Sequence, residues 1–273
     1  MIKADKYMLE SIQNILRNGY YDKDPRPHYA DGEPAHTLSV NGVVHKYDIS
    51  KNEFPITTLR PILFKKAIGE ILWIYQDASN DLDILAEKYG VTWWDEWDLG
   101  DRTIGACYGE TVRRHNLMQN LLDDIKNDPY GRRHIINLWQ EEDFKDPHGL
   151  KPCCYQTQFL VRGDYLDMHL YQRSSDWLTA GNINQMQYVA LLMMVARHCG
   201  YKPGVFTHFI ANQQIYDRHI ENANEMMRRY PIKCEPVLKL NPDKTNFYDF
   251  TIDDFVLEGY SANKPQLKFE LGI

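Results

Sequence analysis

The chain has 273 residues, 43% hydrophobic and 12% aromatic, enough to bury a substantial core. Its 38 acidic and 31 basic residues give a formal charge of −7, which argues against general nucleic-acid or membrane-surface binding but leaves room for a local basic pocket. Five cysteines, at 107, 153, 154, 199 and 234, are odd in number and match no disulfide or zinc spacing, so a reducing, cytoplasmic setting is expected.

The opening Met1-Ile-Lys-Ala-Asp-Lys-Tyr7 lacks the apolar core of a signal peptide. Residues 5–18 carry Met8, Leu9, Ile12, Ile15 and Leu16 at helical spacing, with Gly19 as a stop. Residues 25–34 form a polar, proline-rich loop. Residues 37–49 alternate around Asn41-Gly42, which predicts a hairpin. Residues 61–76 predict a helix opened by Pro61, with Ile62, Leu63, Ala67, Ile71, Leu72 and Ile74 on its apolar face. A shorter helix follows at 81–89. Residues 92–97 concentrate three tryptophans, as core or as the wall of a pocket for a flat ligand. Helix 117–126, a turn at 127–131 and a strand at 134–139 lead to the central hairpin. Beyond it, residues 183–198 predict a long apolar helix, whose densest run, Val189 to Ala196, is too short to span a bilayer. Residues 206–214 look extended and 217–229 helical. From Pro236 short strands alternate with turns. Residues 1–273 thus predict one α+β domain, with a mostly antiparallel mixed sheet around a long buried central helix.

Residues 151–176 are the most informative stretch. Tyr155, Thr157, Phe159 and Val161 share one strand face, and Leu166, Met168 and Leu170 share a face of the return strand. A tight turn at Gly163-Asp164 fixes the register, so counting back sets Cys154 opposite Arg173 and Cys153 opposite Ser174. A cation beside a thiol favours the nucleophilic thiolate. Local geometry alone leaves each cysteine open between a small core residue and a nucleophile.

These residues resemble the thymidylate synthases, the folate-dependent methylases of deoxyuridylate. The landmarks run in order along almost the whole chain: Glu70-Ile-Leu-Trp73, Trp94-Asp-Glu-Trp97, Gly105-Ala-Cys-Tyr-Gly109, Asp128-Pro-Tyr-Gly-Arg-Arg133, Pro152-Cys153 with Gln158-Phe159, and Tyr171-Gln-Arg-Ser-Ser-Asp176. The resemblance implies reductive methylation of dUMP to dTMP, with 5,10-methylenetetrahydrofolate as donor of carbon and hydride, and neither metal nor flavin.

It also implies roles. Cys153 is the nucleophile that adds to uracil C6, because C5 needs activation before it takes up a carbon. Glu70, on its own either a helix-flank charge or a buried acid/base, becomes the proton-transfer carboxylate. Tyr108 lies near the nucleophile and the C5 proton. Asn184, on its own a helix cap, meets the base: its amide pairs with the O4 and N3–H of uracil and mismatches cytosine. Arg173 and Ser174 bind the phosphate with Arg26, and Arg132 and Arg133 reach the site of a neighbouring subunit, which implies a homodimer. Gln214 and Tyr216 lie against the sugar. Asp176 lies at the nucleotide and, with Trp94 and Ile273, at the folate.

The sequence departs from the common family pattern in places. Cys154 stands where histidine often follows the nucleophile, Gln214 replaces a sugar-binding histidine, and Leu59 replaces a lysine associated with the folate tail. Thr179-Ala-Gly-Asn-Ile183 and Ala211-Asn-Gln-Gln214 also differ. Two rival readings are a dUMP or dCMP hydroxymethylase, in which water replaces hydride, and a non-catalytic nucleotide-binding relative.

Overall fold

The first helix, α1 (Lys3–Asn18), buries Met8, Ile12 and Ile15, the stripe its spacing predicted. Gly19 ends it: its N–H donates to the Ile15 carbonyl at 2.8 Å, and a Cβ there would lie 2.3 Å from the same oxygen. The computed structural model describes residues 1–144 and 149–273.

A short strand, β1 (Tyr20–Tyr21), pairs with β2 (Thr37–Asp48). The hairpin expected at Asn41-Gly42 does not form. β2 runs through that dipeptide as one strand, with Asn41 paired to Asn212 and Val43 to Ile210. A fifteen-residue partner strand templates both halves, and Gly42, at φ +72°, absorbs a local kink instead of a reversal. Helix α2 (Phe64–Tyr75) starts three residues after Pro61: Leu63, at ψ 68°, lies outside the helical region, and the Pro61 carbonyl accepts from the Gln266 amide at 2.9 Å. Its residues Ala67 to Tyr75 are all buried. Then come α3 (Leu82–Tyr89), capped by Asp81 through the Asp83 and Ile84 N–H groups, α4 (Gly109–Arg114) and α5 (Leu117–Asn127).

β3 (Ile135–Asn137) pairs with β4 (Cys154–Arg162), and β4 turns at Gly163 (φ +60°) into β5 (Tyr165–Gln172). The predicted register holds from Arg162–Tyr165 to Gln156–Tyr171. It then slips: Tyr155 is an extra residue, Cys154 pairs with Gln172, and the Arg173 N–H donates to the Cys153 carbonyl at 2.9 Å. Cys153 therefore faces Arg173, not Ser174, a correction to the straight count.

After β6 (Ser175–Asp176) one wide turn of helix, Trp177–Gly181, leads into α6 (Asn182–His198). All residues from Gln185 to Ala196 are buried, as its uniform apolarity required. β7 (Lys202–Tyr216) is central to the sheet, whose order is β1-β2-β7-β5-β4-β3 with β6 also on β7. Among the described residues, only the β5–β7 and β6–β7 pairs are parallel. α7 (Ile220–Arg228) and an antiparallel pair, β8 (Val237–Leu240) with β9 (Phe255–Glu258), complete the chain. On β5 the residues Leu166, Met168, Leu170 and Gln172 face the core, and Tyr165, Asp167, His169 and Tyr171 lie half-exposed on the other face. No helix among the described residues is long and apolar enough to cross a membrane.

Candidate active site

The bulge at Tyr155 and the end of β5 create the site. Cys153 is half-buried, and its N–H donates to the Tyr108 hydroxyl at 2.9 Å. The Arg173 guanidinium donates to the Pro152 carbonyl (3.0 Å) and the Lys151 carbonyl (2.8 Å), and lies over Trp139 with 5.9 Å to the ring centroid. These contacts fix a cation beside the thiol. Burial nonetheless pushes the Cys153 thiol above its ordinary range, and Arg173 and Arg26 pull it back only in part. The cation thus favours the thiolate, as expected, but desolvation outweighs it in the free protein. Cys154 projects to the opposite face, is 3% exposed, and is pushed up much further by burial.

Tyr108 is 6% exposed, its hydroxyl is kept protonated by burial, and its ring meets Trp94 edge-on at 5.4 Å. Glu70 is 5% exposed on α2 and accepts from the indole N–H of Trp93. Burial raises its pKa against the opposing pull of the nearby Trp94, Gln187 and Trp93 donors, of which Trp93 makes the hydrogen bond, and this suits a carboxyl that both holds and releases a proton. The tryptophan segment forms a half-buried wall, with Trp94 at 6.3 Å from Trp73 and 5.6 Å from Trp97.

Asn184 lies one turn into α6. Its Oδ1 accepts from Gln172 Nε2 and its Nδ2 donates to Gln187 Oε1, each at 3.2 Å. It is no helix cap. Asp176 is opposite Gln214 in the β6–β7 register, and its carboxyl is raised by burial against the pull of His219, 4.0 Å away. Burial raises the Tyr216 hydroxyl too, and Asp176, Cys153 and Arg26 act on it electrostatically. Ile273 exchanges backbone hydrogen bonds with His28, at 2.8 and 2.9 Å, which brings the last residue beside the Arg26 loop. Ser174 is half-exposed at the same strand end.

Arg132 and Arg133 stand apart from this cluster. Both are exposed on the turn before β3, lining an open cavity with Asp128, Tyr130 and Gly131. Leu59 is fully buried in the cluster that includes Met8 and Ile12, so its position is core. The sequence reading missed Gln172, Gln187 and Arg60. Arg60 is 4% exposed and donates to the Leu178 and Thr179 carbonyls at 2.7 and 2.9 Å, holding the turn beside Asp176. An arginine inside the apolar run from Phe54 to Ile62 was the available signal for it.

A family model described as "Thymidylate synthase" matches residues 6–273. A thymidylate synthase of Lactococcus lactis subsp. lactis is 52% identical over 279 residues, covering 100% of both chains. One from Streptococcus pneumoniae is 50% identical with the same coverage. Among solved structures, the thermostable thymidylate synthase A from Bacillus subtilis superposes with a TM-score of 0.91 at 38% identity, covering 99% of each chain.

Proposed function

The chain belongs to the thymidylate synthase family, and from that premise we propose that its chemistry is carried by Cys153, Tyr108, Arg173, Glu70 and Asn184. The reaction is the reductive methylation of dUMP to dTMP, with 5,10-methylenetetrahydrofolate as co-substrate and dihydrofolate as second product. Carbon and hydride both come from the folate, so the reaction balances without a separate redox cofactor.

The observation that carries the residue assignment is Cys153 held between the Tyr108 hydroxyl and Arg173. The Cys153 sulfur adds to uracil C6 and makes C5 enolate-like; the electron pair moves toward O4, where fixed donors stabilise it. Asn184 Nδ2 donates to O4 and its Oδ1 accepts from N3–H. Tyr108 stands beside the reacting carbon, and Glu70, its pKa raised, exchanges protons through the O4 side of the ring. Arg173, Ser174 and Arg26 bind the phosphate, and Gln214 and Tyr216 the sugar. Asp176 also lies against the folate, with Trp94 and Ile273. The reading takes residues 1–273 as one catalytic domain, working in the cytoplasm, which suits its five free thiols.

Incubation of the protein with dUMP and methylenetetrahydrofolate tests this. We expect dTMP and dihydrofolate in equal amounts. Hydroxymethylated nucleotide without dihydrofolate would favour the hydroxymethylase instead.

The reading also includes a homodimer. Its support is the half-exposed sheet face, where Tyr171 stacks on Phe209 at 5.0 Å, together with two exposed arginines remote from Cys153. If Arg132 and Arg133 serve the neighbour's phosphate, inactive Arg132→Ala and Cys153→Ala subunits complement each other. Each mixed dimer then holds one intact site and one doubly defective site. Random exchange of equal amounts restores about a quarter of parent activity. No recovery after demonstrated exchange would remove the shared site.

A further inference from the structure

Behind Asn184 runs a chain of buried amides and imidazoles that the reaction does not touch. Three backbone groups set its polarity, because a carbonyl only accepts and an N–H only donates. Gln172 Nε2 donates to the Ser174 carbonyl at 2.9 Å, which turns the same nitrogen toward Asn184 Oδ1. Gln187 Nε2 donates to the Ala67 carbonyl at 3.2 Å, which leaves its oxygen for Asn184 Nδ2. Asn182 Oδ1 accepts from the Thr57 N–H at 2.7 Å, so its nitrogen faces Gln185 Oε1 and the Gln185 nitrogen faces two histidines.

The imidazoles are then determined. Gln172 Oε1 lies 2.8 Å from His208 Nε2, so that nitrogen carries the proton. His208 Nδ1 lies 3.2 Å from the Gln185 donor and must be bare. His45 Nδ1 accepts from the same amide at 3.0 Å, and its Nε2 meets Ser11 Oγ at 3.3 Å. Gln172, Gln185, His45 and His208 are all at most 3% exposed. Burial pushes His45 down to about 4 and His208 well below its ordinary range, so both rings are neutral at pH 7.

We propose that His45, Gln185, His208 and Gln172 are positioning residues for base choice, locking the Asn184 amide in the orientation that reads uracil and refuses cytosine. The proposal rests on the reading that Asn184 meets the base. A reversed amide would suit cytosine, but reversal sets Asn184 Nδ2 against the Gln172 donor and Oδ1 against the Gln187 acceptor. Gln172 in turn cannot reverse without opposing both the Ser174 carbonyl and the His208 N–H. The mismatch would fall in a dry interior, where unpaired polar groups are costly.

The test compares the parent with His208→Leu and His208→Gln by competitive binding of dUMP and dCMP, alongside thermal unfolding. Leucine leaves Gln172 Oε1 without its donor, and glutamine keeps a donor there. His208→Leu should lower the dUMP-to-dCMP affinity ratio at least about tenfold, with His208→Gln within about threefold of the parent. An unchanged ratio in folded His208→Leu overturns the proposal. Should that variant not fold, nitrogen-15 shifts of the parent decide: His208 must show a protonated Nε2 and a bare Nδ1 at pH 7, and any other state overturns it. Failure of the Asn184 reading itself shows separately, as an Asn184→Asp variant with unchanged base preference.

Discussion

An alanine at position 153 abolishes turnover, with kcat falling at least about ten-thousandfold, while fold and dUMP affinity persist. On the proposed reading Cys153 is the sulfur that adds to C6. Cys153 is half-buried beside Tyr108 and Arg173, and Cys154 is sealed in the core on the other face. Loss of the Cys153 side chain leaves Arg173 in place, because its guanidinium is held by the Pro152 and Lys151 carbonyls and not by the thiol. Cys154→Ala is the control: it costs about 1–2 kcal/mol of stability and keeps substantial activity. The measurements are single-turnover methylation, nucleotide binding and thermal unfolding on both variants. If Cys154 proves essential and Cys153 dispensable, the nucleophile has been misassigned.

Asn184→Asp should shift base preference from dUMP toward dCMP by at least about tenfold in relative affinity, with activity on dUMP falling. A protonated carboxyl donates to cytosine N3 through the oxygen that faces Gln172 and accepts from the cytosine amine with the other. The gain on dCMP is limited by Gln187, whose oxygen is bound to meet a donor because its nitrogen is held by the Ala67 carbonyl. Direction, not full exchange of specificity, is therefore the expected result. Competitive binding of the two nucleotides to parent and variant measures it. An unchanged ratio would mean that Asn184 does not read the base.

The buried helix α6, the turn at Gly163 and the α1 stripe were legible because each follows from a short periodic pattern. Asn41-Gly42 misled because a turn dipeptide is a local preference, and the long strand β7 supplies pairing on both sides of it. The bulge at Tyr155 was invisible: alternation of side chains does not reveal one surplus residue, yet it decides what faces Cys153. Sequence order supplied the catalytic residue types, but the sign of the thiol shift depends on burial in three dimensions. Gln172, Gln187 and Arg60 were missed because amides and lone arginines have no periodicity that marks them as buried.

Tyr108 stands at φ +49°, ψ −111°, a region where side chains are strained and glycine is relaxed. Its neighbour Gly109 has no such choice, since a Cβ there would fall 2.1 Å from the Ser79 carbonyl oxygen. Holding the phenol against Cys153 thus costs about 1–3 kcal/mol, a real fraction of what keeps a domain folded. The strain sits at Tyr108 alone, since Gly109 is fixed by the space beside Ser79. Tyr108→Gly would relax the backbone but empty a buried aromatic site against Trp94, a loss of about 3–5 kcal/mol that outweighs the strain, so the surrounding core would keep this phenol in its strained shape even in a lineage freed from the need for thymidylate.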